Sequence, residues 1–144
     1  DKNALIEEAL RCLHLFRTKA NLMNCDNGNL FSDNDFQNNG ASFIIENRKD
    51  ECRYEFTNEV SDRYKFKTPI LRDVFYTAPY FHNGSAKTLE DVVQAYNLGM
   101  PQAELKSNFI KPLQLSEKEI KDIISFLQSM SAVTDSFSIP AMPQ

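Results

Sequence analysis

From about residue 18 to 65 this chain shows no helical periodicity, and that stretch constrains its fold more than any other feature. Asn21, Asn24, Asn27, Asn29, Asn34, Asn38 and Asn39, with Gly28 and Gly40, favour turns and left-handed backbone conformations. A loop-rich stretch of that length is unusual inside a compact domain unless it is disordered or organised around something other than its own secondary structure. Leu22, Leu30, Phe31, Phe36, Phe43, Ile44 and Ile45 are interspersed through it and argue against disorder. The sequence therefore predicts a wrapper that has lost, or still holds, something to enclose.

Helices flank the wrapper. Residues 4–16 place Leu5, Ala9, Cys12, Leu13 and Phe16 at spacings of three and four, which predicts an amphipathic helix. Glu7 and Glu8 suit the positive end of its dipole. The last helix is the clearest: Ser116-Glu117-Lys118-Glu119 reads as a capping box before the apolar stripe Ile120, Ile123, Ile124, Leu127 and Met130. These two helices are expected to pack together, burying Leu5, Leu13 and Phe16 against Ile120, Ile124 and Leu127. Between them, Pro69 and Pro79 bound a short helical turn. Thr88 is placed to cap a helix over Leu89–Tyr96 with Asp91 completing the box, and Gly99 and Pro101 stop it. That helix is expected to bury Leu89, Val92, Val93 and Tyr96. No sustained strand alternation occurs, so the fold class is mostly α, as a domain over 1–131 followed by an extended tail over 132–144.

Composition narrows the function classes. The chain has 144 residues, 42% hydrophobic and 25% charged, with a net charge of −4. Its basic residues are scattered, which disfavours a nucleic-acid or anionic-membrane partner. No apolar run approaches the ~20 residues of a membrane span. Asp1-Lys2-Asn3 leads straight into the first helix, so the chain is read as either cytosolic or freed from a leader. The three cysteines, Cys12, Cys25 and Cys52, are too few and too irregular for a disulfide framework, and none forms a C-x-x-C pair. Cys12 reads as a small buried apolar residue.

The run DRYKFKTPILRDVFYTAPYFHNGSAKTLEDVVQAYNLG then becomes recognisable. It resembles the C-terminal haem domain of bacterial di-haem cytochrome c peroxidases and their methylamine-utilisation relatives. Members of that family read D-R-G-x-F-K-T-P-x-L-R-N, T-x-P-Y-x-H-D-G-S and T-L-x-x-V-V, matched here by Asp62–Asp73, Thr77–Ser85 and Thr88–Val93. The closing L-x-L-x-x-x-E helix with F-L corresponds to Leu113 through Leu127. Upstream, LFRTKANLMNCDNGNLFSDNDFQNNG resembles L-F-x-x-K…C-x-x-C-H-x-G-x-x-F-x-D-x-x-F-H-N-x-G, so the likeness spans about residues 4–131. It implies a cytochrome c-like α domain and peroxide reduction by the parent protein. It also implies an upstream haem domain, a small redox protein as electron donor, and a periplasmic location with a cleaved leader.

The departure falls on the attachment motif. A c-type haem needs two thiols and an adjacent histidine, C-x-x-C-H. Aligned on Gly28, the chain offers Leu22-Met23-Asn24-Cys25-Asp26, so Cys25 alone survives and Asp26 replaces the histidine. A carboxylate is a poor substitute for imidazole on haem iron. Haem is therefore expected to be absent or held non-covalently. On the opposite side, counting from His82 lands on Tyr96, the axial-ligand position by resemblance, against its alternative as a core tyrosine. His82 reads either as a hydrogen-bonded loop histidine or as a haem-edge residue. The resemblance also implies calcium held through the backbone carbonyls of Thr77 and Pro79. Two rivals to the haem-relay reading remain: a haem-free scaffold or interaction domain, and a domain binding haem non-covalently through Tyr96 or an unexpected ligand.

Overall fold

Each helix begins and ends where local chemistry dictates. The structure, a computed structural model, describes residues 7–19, 29, 31–45 and 50–131. Helix α1 is described over Glu7–Arg17; Leu5, the attachment stretch with Cys25 and Asp26, and the tail at 132–144 lie outside the described residues. Helix α3, Leu89–Asn97, starts with the expected box: Thr88 Oγ1 accepts from Asp91 N, and the Asp91 carboxylate accepts from Thr88 N at 2.8 Å. At its other end Gly99 N donates to Tyr96 O and Met100 N to Ala95 O, a Schellman closure. Gly99 takes φ +89, and a Cβ there would meet the Pro112 ring at 2.7 Å, so both conformation and space demand glycine. Helix α4, Glu117–Ser129, repeats the box with Ser116 and Glu119.

Three helices form the core. Helix α1 packs on α4, and α4 on α3. Phe16 is fully buried, and its ring meets Phe126 at 5.3 Å and Phe31 at 6.0 Å. Cys12, Leu89, Val93, Leu115, Ile120, Ile123 and Leu127 complete the cluster, with Leu13 and Ile124 half-buried against it. The expected packing of the first and last helices is thus present for Leu13 and Phe16. Asn97 ties α3 to the segment entering α4: its Oδ1 accepts from Leu115 N at 2.7 Å and its Nδ2 donates to Leu115 O.

The remaining residues form short pieces. A one-turn helix, α2, spans Tyr54–Thr57, and 3₁₀ turns cover Ala41–Phe43, Val60–Asp62 and Val74–Tyr76, the last between Pro69 and Pro79 as expected. Strand β1, Phe36–Gln37, pairs antiparallel with β2, Phe66–Lys67, in the register Phe36–Lys67 and Gln37–Phe66. The sequence carries no alternation that announces this ladder, because it is only two residues deep. Asn38, 1% exposed, anchors the wrapper: Nδ2 donates to Glu104 O, and Oδ1 accepts from Gly40 N. Gly40 takes φ +85, and a Cβ there would stand 2.9 Å from Pro101 O.

Candidate functional site

The wrapper, β2, the Val74–Tyr76 turn, α3 and α4 enclose a largely apolar cavity of about 510 Å³. Each wall has a local reason for its place. Val93 and Leu89 face inward from the capped helix α3, and Ile123 and Leu127 from the apolar stripe of α4. Tyr80 holds the turn above them, donating through its hydroxyl to Val74 O at 3.1 Å while its N–H bonds Ala86 O. Burial pushes the Tyr80 phenol above its ordinary pKa, so it stays a neutral donor. Phe66 brings its ring to the wall from β2.

Tyr96 stands in this wall. It is half-buried, as is Val92, whereas Leu89 and Val93 are buried, and all four line the cavity. This corrects the expectation that all four are buried: their shared stripe faces partly a packed interior and partly an enclosed space. Asn39 Nδ2 donates to Tyr96 Oη at 3.0 Å, and the Tyr96 ring lies 6.3 Å from that of Phe81.

His82 reaches the same cavity from the Tyr80–Gly84 turn. Its imidazole lies flat on the Phe66 ring, with centroids 3.7 Å apart and planes 14° apart. Desolvation lowers its pKa, opposed by the negative charge of Asp50, and the outcome is a group biased to neutral imidazole. The residue is solvent-exposed overall, so it forms a polarizable edge of the cavity at the surface.

Thr77 and Pro79 also border the cavity, and both are exposed. The Thr77 hydroxyl donates to Val74 O at 2.9 Å, so that side chain secures the turn. Among the described residues no cluster of three or more His, Cys, Asp or Glu is placed to hold a metal ion. The structure thus brings Tyr96, His82, Thr77 and Pro79 around one space, while Cys25 and Asp26 lie outside the described residues. Sequence reasoning missed Asn39 and Phe66. Asn39 read as one turn-forming asparagine among many, and no local signal distinguishes it.

Comparison with known proteins places this arrangement. A family model described as RoxA-like, cytochrome c-like, matches residues 65–97, the segment holding Phe66, Thr77, Pro79, His82 and Tyr96. The chain is 37% identical to the cytochrome-c peroxidase IdrP1 of Denitromonas iodatirespirans, over 91% of this chain and 42% of that protein. It is 32% identical to the methylamine utilization protein MauG of Methylorubrum extorquens, over 99% of this chain and 40% of that one. This chain belongs to the cytochrome c peroxidase and MauG family. Its fold matches a MauG-like protein associated with microbial copper homeostasis at a TM-score of 0.81 and 26% identity, over 90% of this chain and 48% of that structure. The mostly helical, cytochrome c-like class expected from the sequence is therefore the fold of this cytochrome c peroxidase–MauG relative. Like them in sequence, it spans well under half the length of these proteins, 42% and 40% of the two relatives. No helix among its described residues is long and apolar enough to cross a membrane.

Proposed function

We propose that this chain is the C-terminal domain of a di-haem cytochrome c peroxidase-like protein, and that its cavity holds haem without the usual covalent attachment. One observation carries this reading: an apolar cavity of about 510 Å³ lined by Tyr96, whose hydroxyl is held by Asn39 of the same wall. Sites of ~300–1,000 Å³, mostly apolar with a few placed polar groups, are the ordinary containers of cofactors. Val93, Ile123 and Leu127 supply the water-excluding wall, and Tyr96 supplies the oxygen donor. Lys67 and Lys111, exposed cavity-lining cations, would be available to pair with the carboxylates of a bound porphyrin. When bound, haem supplies one-electron redox chemistry, and the chain's part is to bind it, orient it and exclude water. His82, stacked on Phe66, offers a conjugated edge between the cavity and the surface.

The covalent link is unsupported by the sequence, since Cys25 is the single thiol of the motif and Asp26 follows it. The parent protein is read as a periplasmic peroxide reductase with an upstream haem domain and a small redox protein as donor. The carbonyls of Thr77 and Pro79 are the candidate calcium ligands. Titration of the purified chain with haemin tests the reading. A saturable Soret band near ~400 nm that is altered by Tyr96→Phe is expected. No band at stoichiometric haemin overturns it in favour of the haem-free scaffold.

A further inference from the structure

We propose that Asn39 is a positioning residue that fixes the Tyr96 oxygen in the cavity and lowers its strength as an electron donor to a bound haem iron. The inference rests on the haem reading above and goes beyond it by naming a residue whose position the family motif F-H-N-x-G leaves variable. Asn39 is held at both ends of its amide. Its Oδ1 accepts from Ala41 N at 3.0 Å, so its Nδ2 is the atom that faces Tyr96 Oη, also at 3.0 Å. The support beneath it is rigid. Ala41, 2% exposed, opens a 3₁₀ turn, and Gly40 before it sits where a Cβ would clash with Pro101 O.

An amide N–H is only a donor, so in this geometry the Tyr96 oxygen accepts from Asn39. A donor aimed at that oxygen stabilises negative charge on it. Oxygen density held by Asn39 is density withheld from a metal, which disfavours the ferric state relative to the ferrous one. Both residues line the same cavity, so the contact is part of the site's wall.

The test uses the haemin-loaded chain as wild type, Asn39→Leu, Tyr96→Phe and the double variant. Hydrogen bonds to charged groups are worth about tenfold or more in an equilibrium, and tenfold is taken as the least effect expected. Asn39→Leu is therefore expected to favour ferric over ferrous haem about tenfold, a fall in reduction potential of ~59 mV for one electron. In the Tyr96→Phe background the same substitution is expected to shift nothing, because the effect runs through the phenol. Equal shifts in both backgrounds, or none in the wild-type background, overturn the proposal. Asn39→Asp keeps the acceptor for Ala41 N but replaces the donor with a negative charge, so it serves if Asn39→Leu does not fold, with a shift in the same direction and larger, and with the same dependence on Tyr96. In the haem-free protein, the Asn39 side-chain amide protons are expected to move upfield in the NMR spectrum of Tyr96→Phe. An unmoved resonance overturns the Asn39 assignment whatever haemin does, whereas failure of every variant to bind haemin overturns the haem reading.

Discussion

Removing the Phe16 ring tests the core that supports the cavity. Phe16 is fully buried between α1 and α4, with Phe126 at 5.3 Å and Phe31 at 6.0 Å. Transfer of a buried ring from water is worth about 1.5–3 kcal/mol. Each aromatic contact adds about 0.5–1.5 kcal/mol. Phe16→Ala is therefore expected to cost about 4 kcal/mol, inside the range of ~3–5 kcal/mol that such truncations show. Domains of this size are stable by ~5–15 kcal/mol, so the variant should fold but melt roughly 15 °C lower. Urea unfolding followed by far-ultraviolet circular dichroism gives the difference directly if the slope is unchanged. Leu10→Ala on the outer face of the same helix is the control, because Leu10 is 44% exposed and should cost below ~1 kcal/mol. A Phe16→Ala cost equal to that of Leu10→Ala would refute the packing of α1 on α4.

Other consequences are as direct. Lys19 Nζ lies 2.7 Å from a Glu119 oxygen, and this contact, followed by the Ser116 N–H, lowers the Glu119 pKa from 4.5 to about 2. A depressed carboxylate stabilises the fold above its unfolded pKa and loses that stability as pH falls from about 4.5 towards about 2; with Lys19 42% exposed, Lys19→Met should cost up to about 1 kcal/mol at pH 7 and flatten the acid limb of a stability–pH curve. Thr88→Ala removes the acceptor for Asp91 N and should cost about 1 kcal/mol in chemical denaturation. Intact mass of protein matured beside a cytochrome c assembly system should show no added haem, since Cys25 lacks both the second thiol and the adjacent histidine. The purified chain with hydrogen peroxide and reduced cytochrome c should turn over no faster than a blank, and turnover without haem would contradict the family-based reading.

Helix boundaries were legible because their determinants are local. Thr88 with Asp91, Ser116 with Glu119, and Gly99 after α3 each act within four residues, and all three behave as their spacing implies. The β1–β2 pair was not legible, because it joins Phe36 to Lys67 across the wrapper and is too short for alternation. Left-handed backbone at bulky residues was equally hidden. The family motif D-R-G-x-F-K has glycine where this chain has Tyr64, and Tyr64 keeps φ 62. Such a conformation costs a non-glycine residue ~1–2 kcal/mol. Its buried ring, edge-on to Phe43 at 4.9 Å, supplies burial that glycine cannot and offsets that cost.

Periodicity assigns a residue to a face but not to what lies opposite that face, and Tyr96 shows the consequence. Val92, Val93 and Tyr96 share one stripe of α3, yet Val93 is buried while Val92 and Tyr96 are half-buried in the cavity wall. The difference is set by groups far away in sequence. Asn39 reaches Tyr96 across 57 positions, and Ile123 and Leu127 close the opposite side from α4. No window of residues short enough to show a helix contains both partners. The wrapper is where the two scales meet. Its asparagines suit turns locally, and the fold then uses two of them differently: Asn38 to anchor a neighbouring loop and Asn39 to hold a phenol at an enclosed space. A stretch without helical periodicity thus serves this fold: its turns set Asn38 against Glu104 and Asn39 against Tyr96, two neighbours bonded to different parts of the molecule.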